Sequence, residues 1–95
     1  MYINIGNDFA VRTDTVIGIF DLDNTTSSRW TRNLLAMAQE NGEIVETTEE
    51  LPKSFLVTNE YGLTRIYLTQ YNAAILERRF AKAQQEAEKQ RRSLL

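Results

Sequence analysis

The stretch K-S-F-L-V-T-N-E-Y-G-L-T-R-I-Y-L-T, Lys53 to Thr69, decides the fold. Two runs rich in β-branched and aromatic residues, 53–58 and 63–69, flank the short loop Asn59-Glu60-Tyr61-Gly62. A glycine-containing loop of that length between such runs predicts a β-hairpin. Period-two alternation puts Phe55 and Val57 on one face of the first strand, and Ile66 and Leu68 on one face of the second.

Upstream, residues 2–5 read as a short strand that ends in the turn-forming cluster Gly6-Asn7-Asp8. A second strand follows at 9–12. The run V-I-G-I-F at 16–20 is apolar on both faces, which predicts a central strand covered on both sides. A helix is expected from Ser28 to Asn41, with Trp30, Leu34, Leu35 and Ala38 as its buried stripe. Asn41-Gly42 is the stop signal. A further short strand starts at Ile44-Val45. Downstream of the hairpin, Asn72 is placed to cap a long final helix. Its Leu76, Phe80 and Ala83 step at helical spacing onto the sheet. Beyond Ala87 that helix lacks bulky apolar residues until Leu94-Leu95. The expected class is α+β: a small, mostly antiparallel sheet of five to six short strands, one helix between strands and a long C-terminal helix.

The chain has 95 residues, a length suited to one domain with a thin core. Such a core with apolar residues to spare favours self-assembly, and Trp30, Tyr61, Tyr67 and Tyr71 suit either core or interface. Cysteine and histidine are both absent. Disulfides, thiol chemistry and the commonest zinc ligand and general base are thereby excluded. No apolar run reaches the roughly 18 residues of a membrane span. Strand-like residues begin at Tyr2, so the expectation is no signal peptide and a cytoplasmic location. Residues 1–70 hold five basic and ten acidic side chains, whereas residues 71–95 hold six and three. Glu40, Glu43, Glu46, Glu49 and Glu50 cluster without a base among them, as in a solvated acidic face.

The segment V-I-G-I-F-D-L-D-N-T, Val16 to Thr25, locally matches the first motif of haloacid-dehalogenase-like phosphatases, with Asp21 and Asp23 as nucleophile and acid/base. That chemistry needs a central parallel strand, several crossover helices, a cation and distal carboxylates. This chain has room for one crossover. After residue 50 its acids are Glu60, Glu77, Glu86 and Glu88. Strand-end and helix-cap roles for Asp21, Asp23 and Asn24 suit the chain better, and no enzymatic activity or cofactor is expected. A calcium loop starting at Asp21 would want Gly and Glu where Thr26 and Arg32 stand.

Clustered Lys and Arg are what phosphate contacts require. Arg29 and Arg32 lie at i, i+3 on the exposed flank of the first helix, Arg78, Arg79 and Lys82 form a patch on the second, and Lys53 and Arg65 lie on the hairpin. No helix-turn-helix, zinc finger or aromatic stacking platform is visible.

The ordered set I-N-I-G at 3–6, V-I-G-I-F at 16–20, N-G at 41–42, I-V-E-T-T at 44–48, K-S-F-L-V-T at 53–58 and I-Y-L-T at 66–69, leading into a helix with Arg79, resembles the RemA/RemB family of extracellular matrix regulatory proteins. M-Y-I-N-I-G-N-D-F and V-I-G-I-F-D look closer to the RemB branch. The resemblance covers residues 1–80 as one domain and leaves 81–95 as a helical extension. It implies a fold comparable to LytTR-type DNA-binding domains, ring-like homo-oligomers, and repeated contacts to double-stranded DNA in transcriptional control of matrix (biofilm) genes. Where the family carries G-R-R-T-R, this chain has Glu50-Leu51-Pro52-Lys53-Ser54. Only Lys53 of that segment is basic, so the residues expected to contact phosphate are Arg29, Arg32, Lys53 and Arg65. The alternative is an oligomeric assembly module that binds a protein partner without DNA.

Overall fold

The computed structural model describes residues 1–22 and 28–93. Among them are six strands and two helices: β1 (Tyr2–Gly6), β2 (Phe9–Arg12), β3 (Val16–Asp21), α1 (Arg29–Glu40), β4 (Ile44–Glu46), β5 (Ser54–Glu60), β6 (Leu63–Thr69) and α2 (Ala73–Ser93). A single 3-10 turn, Thr13–Thr15, joins β2 to β3. The α+β class expected from the sequence is therefore the one observed. The strands divide between two sheets. β1 and β2 form a separate antiparallel ribbon, and the main sheet has the order β3-β5-β6-β4. β3, β5 and β6 pair antiparallel, while β4 runs parallel to β6.

The hairpin is the centre of the main sheet. Its strands pair in unbroken register from Ser54 with Thr69 to Glu60 with Leu63. The loop is shorter than the sequence reading made it: only Tyr61 and Gly62 lie outside the strands, at φ 56° and 86°. Two consecutive positive φ values are the geometry whose twist matches a tight hairpin. Gly62 takes it without steric cost, and its N–H donates to Asn59 Oδ1 at 2.8 Å.

Both faces of the hairpin are covered. On one side Leu56 packs with Ile3, Ile5 and Val11 of the ribbon and with Leu76 and Ala83 of α2. On the other, Phe55 and Ile66 pack with Leu22 and with Ala38 of α1. The order is ribbon plus α2, sheet, then α1.

α1 starts behind Ser28, whose Oγ accepts from the Thr31 N–H at 3.5 Å. It ends where Gly42, at φ 69°, donates its N–H to Gln39 O, and Glu43 donates to Ala38 O. These are the stop-signal contacts expected of Asn41-Gly42. The buried stripe differs from the expected one by a position. Thr31, Leu34, Leu35 and Ala38 face the sheet, and Trp30 is 59% exposed. Helical periodicity accounts for this: Thr31 stands i, i+3, i+4, i+7 with the other three. α2 starts as expected, with Asn72 Oδ1 accepting from Ile75 N–H at 3.0 Å. Leu76, Phe80 and Ala83 join the first core.

The expectation of a central strand at 16–20 is corrected. Among the described residues, β3 is an edge strand paired only with β5. A bulge between Val16 and Gly18 leaves Ile17 without a register partner and 65% exposed. The central positions belong to β5 and β6, whose Ser54, Thr58 and Thr69 are fully buried despite being polar. Those hydroxyls made the true centre look less apolar than the edge.

Gly18 is required by close approach. A Cβ there would meet the Phe20 ring at 2.7 Å. That ring is stacked on Phe55 at 5.1 Å and tilted against Trp30 at 5.8 Å, so it cannot simply swing away. Gly18→Ala is expected to destabilise the fold by about 1–3 kcal/mol through overpacking. Trp30 is the only tryptophan, so chemical denaturation followed by its fluorescence reads both the stability loss and the displaced Phe20 ring.

Candidate functional site

The four basic residues singled out from the sequence do not form one surface. Arg29 and Arg32 lie exposed in the first turn of α1, where no acidic residue stands. The amino end of a helix carries the positive end of its dipole, so these two cations reinforce it rather than being offset. Lys53 is exposed just before β5, its N–H donating to Thr69 O and its carbonyl accepting from Leu22 N–H. It thus sits at the end of the sheet from which the chain leaves β3 towards α1. Arg65 is half-buried opposite Thr58 on β6. Four residues of strand, about 13 Å, separate it from Thr69. Strand alternation also puts Arg65 on the α2 side with Tyr67, whereas Lys53 follows the parity of Phe55, on the α1 side. The expected proximity of Lys53 and Arg65 is therefore not found.

Arg79 leaves the basic patch in which the sequence placed it. Its Nη1 donates to Asn4 O at 2.8 Å, and its guanidinium carbon lies 4.5 Å from the centre of the Tyr71 ring. It clamps α2 to β1 and to the β6–α2 connection. Nothing local in the sequence marked this role, since the bond spans 75 residues.

The connection between β4 and β5 lines a cleft. An open cleft of about 790 Å³ runs beside residues 46–52 and is closed by Asn7, Leu68 and Gln70. Its charged lining residues are Glu46, Glu49 and Glu50. Its walls are tied together: Asn7 Nδ2 donates to Thr47 O at 2.7 Å, Thr47 Oγ1 to Leu68 O at 2.7 Å, and Thr48 Oγ1 to Gln70 Oε1 at 3.0 Å. Three carboxylates and no base make this a poor surface for phosphate. The acidic run was legible in the sequence, but its assembly with the distant Asn7 turn was not.

The phosphatase reading lacks its strand. Asp21 ends an antiparallel edge strand, in register with Ser54. The chemistry calls for the carboxyl end of a central parallel strand. Asp23 and Asn24 lie outside the described residues. Among the described residues, no three His, Cys, Asp or Glu side chains gather where they could hold a metal ion, and no helix is long and apolar enough to cross a membrane.

A second polar cluster lies at the turn end of the hairpin. Glu60 Oε2 accepts from Tyr67 Oη and from Thr58 Oγ1, each at 2.7 Å. Nearby, Arg12 pairs with Asp14 at 2.7 Å and donates to Tyr61 Oη at 3.0 Å, tying β2 to the turn.

With this geometry in view, the comparison with known families is decisive for class. Residues 2–80 match the RemA-like family, described as Extracellular matrix regulatory protein A-like. The chain belongs to the RemA-like family. Comparison with curated proteins finds no match. The matched span contains both cores except Ala83, the acidic cleft and the Arg79 clamp, and it ends at the eighth residue of α2.

Burial, and then the hydrogen bond to Glu60, push the Tyr67 hydroxyl up to about 12. An unfolded tyrosine ionises near about 10. The stability from this group is therefore fully present below pH 10 and is lost as pH rises towards 12. Tyr67→Phe should flatten the fall in stability across that window, as measured by denaturant midpoints at stepped pH. A wild-type midpoint that is level from pH 10 to 12 would refute the assignment.

Proposed function

We propose that this chain is a non-enzymatic, cytoplasmic, self-assembling regulator of extracellular matrix genes, and that its assemblies act through double-stranded DNA. Membership of the RemA-like family supports the matrix-regulatory part. The opening M-Y-I-N-I-G-N-D-F and V-I-G-I-F-D favour the RemB branch within it.

The observation that carries self-assembly is the edge of β3. No strand pairs with its outer side among the described residues, and Ile17 protrudes from it at the bulge. Unpaired strand edges are ready templates for another chain, and Ile17 with the nearby Phe20–Trp30 contact adds apolar area. Repetition matters because each protomer offers few phosphate contacts, and avidity multiplies weak ones. In each protomer, Arg29 and Arg32 at the positive end of α1 supply the contact, with Lys53 at the same end of the sheet. Arg65 is set apart on the opposite side.

A second reading, an assembly module that binds a protein partner without DNA, is favoured by the cleft whose charged lining residues, Glu46, Glu49 and Glu50, are all acidic.

Light scattering at micromolar concentration should give a mass several-fold above the 11.0 kDa of one chain. Ile17→Lys should reduce that mass without changing the circular dichroism. Wild-type protein should retard long duplex DNA at about 50 mM salt and lose most of that binding by about 200 mM. Arg29→Ala with Arg32→Ala should lower the salt slope by about 2. A monomer would sink the assembly. No retardation at about 50 mM would leave the second reading standing.

A further inference from the structure

The outer face of α2 carries a line of cations that the family match does not account for. The four cations Arg78, Lys82, Lys89 and Arg92 recur at i, i+4, i+11 and i+14, with the neutral Gln85 at i+7 between them, and all five residues are exposed. At about 100° per residue they fall within about 40° of one line along the helix. The core-facing Leu76, Phe80, Ala83 and Ala87 lie on the opposite side. The acids of the helix, Glu77, Glu86 and Glu88, sit off the line, at about 80–100° to it. Glu86 stands i+4 from Lys82 and Glu88 i−4 from Arg92, so the line itself is of one sign while its flanks are mixed. The line runs fourteen residues, about 21 Å, and most of it lies beyond residue 80, where the family match ends.

We infer that this stripe is a backbone-contact surface for double-stranded DNA, separate from the end of α1. The inference rests on the DNA-binding reading above. The partner follows from what the stripe contains. It has no apolar side chain to insert into a lipid surface. It has no aromatic or aliphatic anchor of the kind that forms the core of a protein interface. Its charge is linear and of one sign, which fits a polyanion of regular spacing. A duplex presents roughly one negative charge per 1.7 Å of axis, so a line about 21 Å long meets about a dozen of them. The stripe gives the chain a cationic surface on a helix with six basic and three acidic side chains, well apart from the acidic cleft in chain order. Being a phosphate surface, it adds affinity and orientation and reads no sequence.

The test compares the full chain with the triple variant Arg78→Ala, Lys82→Ala and Arg92→Ala. Alanine is the strongest helix former and none of the three is in the core, so the variant folds; circular dichroism confirms the helix content. Gel retardation on long duplex DNA is followed from about 50 to 200 mM salt, with light scattering on the same samples. The expected result is an unchanged mass and a log–log salt slope lower by about 2.7 for each protomer in contact. A variant that binds with the wild-type slope would overturn the stripe while leaving the Arg29/Arg32 contact intact. A variant whose mass falls would show that the stripe joins copies of the chain, and would also overturn it. Wild-type protein that retards no DNA would defeat the DNA reading itself, and the stripe with it.

Discussion

Burial of polar side chains inside the β5–β6 hairpin is the constraint on which the rest of the structure depends. Ser54, Thr58 and Thr69 are fully buried at the centre of the sheet. A buried hydroxyl without a partner costs roughly 1–3 kcal/mol, so each needs a bond close by. Ser54 Oγ donates to Tyr71 O at 2.7 Å, and Thr69 Oγ1 accepts from Tyr71 N–H at 2.9 Å. Tyr71 is thereby held at both its backbone groups just before α2 begins. Its ring in turn lies beneath Arg79, whose other contact is the β1 backbone. Satisfying two hydroxyls thus fixes how α2 leaves the sheet and where the ribbon docks.

The same arrangement decides which parts of the surface are available. With β5 and β6 in the middle, the edges fall to β3 and to the three-residue β4. β4 is a short edge, the kind that offers little to a second chain. β3 is longer, bulged and partly apolar. Charge is also sorted by the fold. The acidic connection after β4 folds against the Asn7 turn into one cleft, and α2 leaves Arg78, Lys82, Arg91 and Arg92 exposed while Arg79 turns inward. The protein thus carries negative and positive surfaces of its own, which a net charge of −2 conceals.

Much of this was legible in the chain. The hairpin, the two helices, the Gly42 stop and the Asn72 cap each rest on interactions between residues a few positions apart, and those interactions write themselves into local spacing. Two failures are instructive. The apolar run 16–20 looked central, because pattern reading treats hydroxyls in a strand as marks of exposure. Here those hydroxyls are internally bonded. Trp30 looked buried, because its size outweighed its phase; the small Thr31 holds the correct phase. For the candidate site, Arg29 and Arg32 kept their predicted relation, since one helical turn fixes it. Lys53 and Arg65 did not, because strand register and face separate them.

The sequence by itself determined the α+β class, the identity of the elements and the family, because periodicity, caps and turn chemistry act over a few residues. Only the tertiary structure decided that β3 is an edge, that Arg79 is a clamp rather than a surface cation, and that Glu46, Glu49 and Glu50 share a cleft with Asn7. Each of those depends on contacts between residues far apart in the chain. Such contacts are selected by the packing of the two cores and by the hydrogen bonds that most buried polar groups require, and no window of sequence contains both partners.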